Sequence, residues 1–245
     1  MFTRIVPTFR YWLRAAIYTA VPQRLLRHLQ RVPEHATGAY WDVEAPRLMS
    51  PDDVDCMVGN AIRDRATAAL LRHCGPTPRR VLDVGCALGR LADALVPDGV
   101  QTYVGVDLSE QAITLAKTEH AHLLTTARVD LRFVAGPLQD FVPEPGERFD
   151  AIVFNEVLYY LHVDEAVAEC RRAAAWLNDG GVLCVSMKHD PKSAAIFGRL
   201  RRQFGWIHGA VFQLRGAGPR YAVVKNRQTP ASLIGVFAAA PRQAA

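Results

Sequence analysis

The chain is predicted to form an α/β domain: a doubly wound, mostly parallel sheet of seven strands that ends in an antiparallel hairpin, preceded by an N-terminal helical extension. Three observations predict it. From residue 81 onward, short runs that are apolar on both faces alternate with longer helical patterns, as in a parallel sheet covered on both sides. The first of these strands runs into a glycine turn and then a helix, "VLDVGCALGR", Val81 to Arg90. Half of the 245 residues are apolar, enough to bury a full core without disulfides or metals.

The elements follow in order. Residues 4–31 read as two helical pieces split by Pro22, with Phe9, Trp12, Leu13, Ile17, Leu25, Leu26 and Leu29 forming an apolar stripe between arginines. After a Gly, Pro and aromatic stretch at 37–51, a helix over 53–73 leads into the turn "CGPTPRR". Strands are expected at 81–84, 102–106, 131–134, 151–154 and 182–186, with helices at 91–95, 110–124 and 165–177 between them. Residues 192–214 are expected to be helical in part. Two strand-like runs, 221–225 and 232–237, joined by "NRQTP", would pair as the closing hairpin. The resulting division is 1–75 for the helical extension and 76–245 for the sheet domain.

Charge is unevenly spread beneath a net +5. Residues 1–31 carry six Arg and no acid, 188–227 carry nine Lys or Arg against Asp190 alone, and 32–187 hold thirteen basic and twenty-three acidic residues. Basic flanks suit anionic lipid, nucleic acid or the protein's own acidic middle. Five cysteines (Cys56, Cys74, Cys86, Cys170, Cys184), with no C-x-x-C pair, argue against a disulfide framework or a zinc knuckle, and no metal is expected. No apolar run approaches the roughly 18 to 20 residues of a membrane span, and Arg10 and Arg14 interrupt any secretory apolar region. The expectation is a soluble, unprocessed, cytoplasmic protein.

A strand, glycines and a helix start make a generic nucleotide-binding turn, because the bare backbone approaches the ligand and its N–H groups point at it. A dinucleotide fingerprint would need Gly at 87 and a small residue at 90, where this chain has Ala87 and Arg90. Asp83, two residues before Gly85, would repel a pyrophosphate. The same acid suits a ligand with a cationic amino-acid end, such as S-adenosylmethionine. Asp107, ending the second strand in "YVGVDLSE", sits where an acid accepts hydrogen bonds from ribose hydroxyls.

Five segments in register, "VLDVGCALGR", "YVGVDLSEQAI", "LRFVAGPLQDF", "FDAIVFNEVLYYL" and "LNDGGVLCVS", resemble the motifs of class I S-adenosylmethionine-dependent methyltransferases with a Rossmann-like fold, over about residues 79–187. The resemblance implies that Asp83 and the Gly85, Ala87 and Gly89 backbone hold the methionine portion and that Asp107 holds the ribose. It further implies that Leu108 flanks the adenine, that Pro137 and Leu138 lie near the adenine amine, and that Asn155 touches the cofactor. Ala87 replaces a usual glycine, a change expected to cost little. Pro137 stands where an acid is common, which leaves Gln139 or a backbone carbonyl to read the amine. "GCALG", "NEVLYYL" and "WIHG" are similar to the nodulation N-methyltransferase type, which methylates an amine of a chitin-like oligosaccharide.

The end of the fourth strand supplies the acceptor-side candidates. Glu156 either holds an ammonium or sugar hydroxyl or is a helix-start carboxylate. Tyr159 and Tyr160 are adjacent, so one is expected in the pocket and one in the core. His162 reads as a surface or capping residue. His189, after the fifth strand, and His208, beside Trp206, either face the pocket or are structural. Glu156, Tyr159 and His189 are the catalytic candidates. Tyr40 and Trp41 form either a lid or a packing anchor. The expected activity is methyl transfer to N or O of a small-molecule or oligosaccharide-like acceptor. The alternatives are a nucleic-acid methyltransferase and a non-catalytic cofactor-binding relative. Peripheral contact of residues 1–31 with an anionic membrane is a further reading.

Overall fold

The computed structural model describes residues 42, 54–126, 129–188, 190–213 and 231–238. The expectations for residues 1–31, for Tyr40 and Trp41, for His189 and for a strand at 221–225 therefore lie outside the described residues. Among these residues the order is α1 (Val54–Cys74), β1 (Arg80–Val84), α2 (Leu91–Leu95), β2 (Thr102–Asp107), α3 (Glu110–Glu119), α4 (Ala121–Thr126), β3 (Asp130–Ala135), β4 (Phe149–Asn155), α5 (Val163–Ala174), β5 (Leu177–Lys188), α6 (Pro191–Gln203), β6 (Gly205–Gln213) and β7 (Ala231–Ala238).

The strands form one seven-stranded sheet in the order β3-β2-β1-β4-β5-β7-β6. The first five are parallel, and β7 runs antiparallel to both β5 and β6. Strand order reverses between β1 and β4, where the chain leaves a crevice beyond the carboxyl ends of the strands. The period of two along each strand sorts its residues between two cores. Leu82, Val84, Ile152, Phe154, Leu183, Val185 and Phe237 pack on the α5 and α6 side. Val81, Tyr103, Val153, Cys184 and Val236 pack with Leu71 of α1 and Leu91 and Leu95 of α2 on the other.

Three expectations are corrected. The helix anticipated over 110–124 is two, because His120 turns its ring inward and leaves helical backbone (φ −98°, ψ 8°) at the end of α3. The helix anticipated at 165–177 is Val163–Ala174. It starts early because the Glu165 carboxylate accepts the His162 N–H at 3.2 Å. It ends early because Leu177 already pairs with Phe149 in the sheet. Third, both edges of β7 are taken by β5 and by β6, which follows α6 directly, so the expected strand at 232–237 pairs with these two. Asp190 caps α6 through the Ser193 N–H at 2.8 Å, and Gly205 opens the strand that registers Trp206 with Phe237.

Cys74, Cys86, Cys170 and Cys184 are free thiols. Among the described residues no helix is long and apolar enough to cross a membrane.

Candidate functional site

A cavity of about 480 Å³ opens at the carboxyl ends of β1, β2 and β4, at the switch point. Its floor is the turn after β1. The Gly85 N–H donates to the Val106 carbonyl at 2.8 Å, stitching the turn to β2. Gly85 has φ +72°, and a Cβ there would lie 2.7 Å from Val157, so a side chain is excluded by both backbone and space. Gly89 has φ +70°, and its Cβ would lie 2.5 Å from the Phe133 ring. Gly89 thus packs against β3 behind the turn and is not among the residues that line the cavity.

Ala87 occupies the left-handed region with φ +45°. A non-glycine residue there costs roughly 1–2 kcal/mol. The cost expected to be small is therefore appreciable, and it is offset where the Ala87 N–H donates to Asp107 Oδ2 at 2.8 Å. The other Asp107 oxygen accepts the Ser109 N–H at 2.9 Å. Burial raises the Asp107 pKa against these bonds. The Ser109 hydroxyl, in turn, is 2.7 Å from Asp42 Oδ1.

Asp83 is 2 % exposed, a buried carboxyl at the heart of the sheet. Oδ2 accepts the Tyr103 hydroxyl at 2.5 Å, whereas Oδ1 has no partner among the described residues. Burial pushes its pKa up to about 7; the Tyr103 bond opposes this, and nearby Asp64 and Asp107 add to it. Asp64 reaches the cavity from α1, and burial lifts it to about 6. Its Oδ1 accepts the Asn155 amide at 2.6 Å, which leaves Asn155 Oδ1 buried without a donor among the described residues. Two enclosed acceptors without donors, among three crowded carboxyls, make a site for a cation that carries N–H groups.

Apolar walls complete this half of the cavity. Leu108, Pro137, Leu138 and Gln139 line it. The Leu138 carbonyl is taken by Arg172 at 2.5 Å, so that backbone oxygen is already engaged outside the cavity.

On the opposite wall, Glu156 follows β4 with φ +58°, in a turn and not at the start of an α-helix. That conformation turns its carboxylate into the cavity, where the Ser186 hydroxyl donates to Oε1 at 3.0 Å and Arg63 Nε lies 3.9 Å away. Tyr159 and Tyr160 both line the cavity, contrary to the expectation of one. They sit on a tight 3-10 turn, Leu158–Tyr160, with ring centroids 4.5 Å apart. Tyr159 also packs on the α5-side core, and burial raises its pKa. His162 caps α5 and does not line the cavity. His208 belongs to β6.

Sequence reasoning missed Arg63 and Asp64. The signal was present: Asp64 heads the inward face of α1 with Thr67, Ala68 and Leu71, all buried, and an acid on such a stripe has to answer to something inside.

The family model described as "Methyltransferase domain" matches residues 59–222. The ubiquinone biosynthesis O-methyltransferase of Bordetella bronchiseptica is 32 % identical over 116 residues, 47 % of this chain and 45 % of that protein. The chain thus spans about half the length of the curated relatives it matches. The crystal structure of the N-methyltransferase NodS from Bradyrhizobium japonicum with S-adenosyl-L-homocysteine superposes with a TM-score of 0.61 at 17 % identity, covering 83 % of this chain and 99 % of that one. The magnesium protoporphyrin IX methyltransferase of Synechocystis with bound S-adenosylmethionine gives 0.60 at 18 % identity, covering 96 % and 100 %. At these identities the two structures establish a shared fold.

Proposed function

The chain belongs to the methyltransferase-domain family, and from that premise we propose that it transfers the methyl group of S-adenosylmethionine to a nitrogen or oxygen of a small-molecule acceptor. The observation that carries the reading is the buried Asp83, whose Oδ1 has no partner among the described residues, in the wall of a cavity whose other wall holds Glu156 and two tyrosines. An ammonium group offers N–H donors to acceptors such as those of Asp83 and Asn155, which a pyrophosphate cannot do. Neighbours of the same fold crystallised with S-adenosylmethionine or its demethylated product, and relatives bearing O- and N-methyltransferase names, support it.

In this reading Asp83 and Asn155 receive the amino-acid end, the bare backbone of the glycine turn lies against the ligand, and Asp107 accepts the ribose hydroxyl hydrogens. Leu108, Pro137 and Leu138 enclose the adenine. S-adenosylmethionine supplies a sulfonium-activated methyl carbon: the acceptor lone pair forms the new bond in line as the carbon–sulfur bond breaks, leaving a neutral thioether. The site's task is alignment. Glu156, fixed by Ser186, orients the acceptor through a hydrogen bond and takes up the proton it sheds, while the tyrosine pair forms a flat wall for it. An amine acceptor needs only to be neutral, whereas a hydroxyl relies on Glu156 more heavily.

Calorimetric titration with S-adenosylmethionine and its demethylated product, with NADH as control, tests the cofactor half. Binding of the sulfur ligands alone supports the reading, and no binding of either removes it. Acceptor screening then starts from amines, amino sugars and phenols.

A further inference from the structure

His120 lies outside the cavity, 2 % exposed, at the junction of α3 and α4. Its Nε2 is 2.8 Å from the carbonyl oxygen of Leu88, inside the glycine turn that floors the cavity. Its Nδ1 lies 3.2 Å from Asp93 Oδ1 of α2, an ion-pair distance without hydrogen-bond geometry. A carbonyl can only accept, so Nε2 carries hydrogen. A neutral ring would then turn the lone pair of Nδ1 toward a carboxylate, whereas a proton there makes both contacts favourable. The ring is held in place by Phe133, with centroids 5.8 Å apart, and Phe133 itself fills the space left by the missing side chain of Gly89. Turn, α2, β3 and the α3–α4 junction therefore meet on one imidazole.

We propose that His120 is a positioning residue of the ligand-binding turn that works as an imidazolium, tying the Leu88 carbonyl to Asp93, so that loss of its proton at alkaline pH loosens the turn and weakens binding of the adenosyl ligand. The binding half of this inference rests on the cofactor reading above. Among the described residues, the groups facing the ring are Asp93 from α2, Glu119 from α3, His122 from α4 at a ring separation of 6.4 Å, and the uncharged Phe133 from β3. Burial works against the charged ring, and the Asp93 and Leu88 contacts outweigh it, holding the His120 pKa above the ordinary imidazole value. A raised pKa means that the stabilisation is complete below the unfolded value and disappears as pH rises through the folded one.

Two measurements test it. Ring nitrogen NMR of the ligand-free protein reads the protonation directly: the His120 midpoint is expected above that of an ordinary imidazole, with both nitrogens carrying hydrogen below it, and Asp93→Asn should lower it. A midpoint at or below the ordinary imidazole value overturns the proposal. The second probe is 5′-methylthioadenosine, which has the adenosine but no ammonium, so that neither the ligand's amine nor Asp83 shapes the profile. Its affinity is expected to fall about threefold or more in the native protein as pH rises through the His120 midpoint read by NMR. It should stay flat in His120→Gln, which still offers an amide N–H to Leu88, and should begin to fall at lower pH in Asp93→Asn. Equal profiles in native protein and Asp93→Asn overturn the proposal even if His120→Gln does not fold. Failure of every adenosyl ligand to bind at any pH overturns the cofactor reading and the binding half of this inference with it, whereas the ring NMR still decides whether His120 is an imidazolium.

Discussion

The hydroxyl of Tyr103 donates to Asp83 Oδ2 at 2.5 Å across two neighbouring parallel strands, and both residues are enclosed by the sheet and its helices. The phenol satisfies one carboxylate oxygen and leaves the other without a partner among the described residues. Tyr103→Phe keeps the ring and frees that oxygen. It should cost about 1–3 kcal/mol of stability, read from urea unfolding, because a buried acceptor loses its donor.

Asp83→Asn should weaken S-adenosylmethionine binding by at least about tenfold, or about 1.4 kcal/mol, as expected when a charge-assisted bond to an ammonium is lost. The control is 5′-methylthioadenosine, whose affinity should change little. Parallel losses for both ligands in calorimetry would show that the substitution disturbs the turn and not an ammonium contact.

The raised carboxyls give a pH dependence of definite sign. Asp64 and Asp83 titrate near 6 and 7 in the folded chain against an ordinary 3.8, so the folded state holds more protons than the unfolded one between about pH 4 and 7. Stability of the ligand-free protein should fall as pH rises through that window. Binding a cationic ligand should release protons at about pH 6.5, measured by calorimetry in buffers of different ionisation enthalpy. Proton uptake instead would contradict the assignment.

Two substitutions in the turn should differ sharply in cost. Ala87→Gly relieves a left-handed alanine at φ +45° and should change stability by less than about 1 kcal/mol, with ligand affinity retained, because the strain removed and the unfolded-state entropy added are of similar size. Gly89→Ala sets a Cβ 2.5 Å from Phe133 at φ +70° and should destabilise by about 2–4 kcal/mol in thermal or urea unfolding. Asp107→Ala, which removes the acceptor of both the Ala87 and Ser109 N–H groups, should weaken S-adenosylmethionine at least about tenfold and lower stability together.

Glu156→Gln should separate transfer from cofactor binding. Its carboxylate is tied to Ser186 on the acceptor wall, so affinity for the demethylated product should stay within about twofold while methyl transfer to an acceptor found by screening falls about tenfold or more. The loss should be larger for a hydroxyl than for an amine.

Much of the cavity wall at β1 and β2 was legible because it is local in sequence. Asp83, Gly85, Ala87 and Asp107 sit at strand ends, where a period-two apolar pattern stops and a turn begins, and such ends converge in any parallel sheet. The opposite wall was read less well for a local reason as well: a single 3-10 turn, not an α-helix, follows Glu156, so the argument from one helical face did not apply, and both Tyr159 and Tyr160 line the cavity. The tail was misread because alternation in "GWIHGAVFQ" is short and adjoins a helix, so that nothing local says whether the helix continues.

Periodicity and the spacing of glycines and acids thus determined, from the sequence alone, the five parallel strands and the strand-end residues that meet at their carboxyl ends. Tertiary structure decided what the chain's own order cannot express. It brought Asp64 from a helix ninety-one residues before Asn155 to within 2.6 Å of it, it left one oxygen of Asp83 without a donor among the described residues, and it put His120 behind the turn against Leu88. Each depends on how far apart two elements come to rest once their apolar faces are buried. That separation is set by packing, which no local pattern encodes.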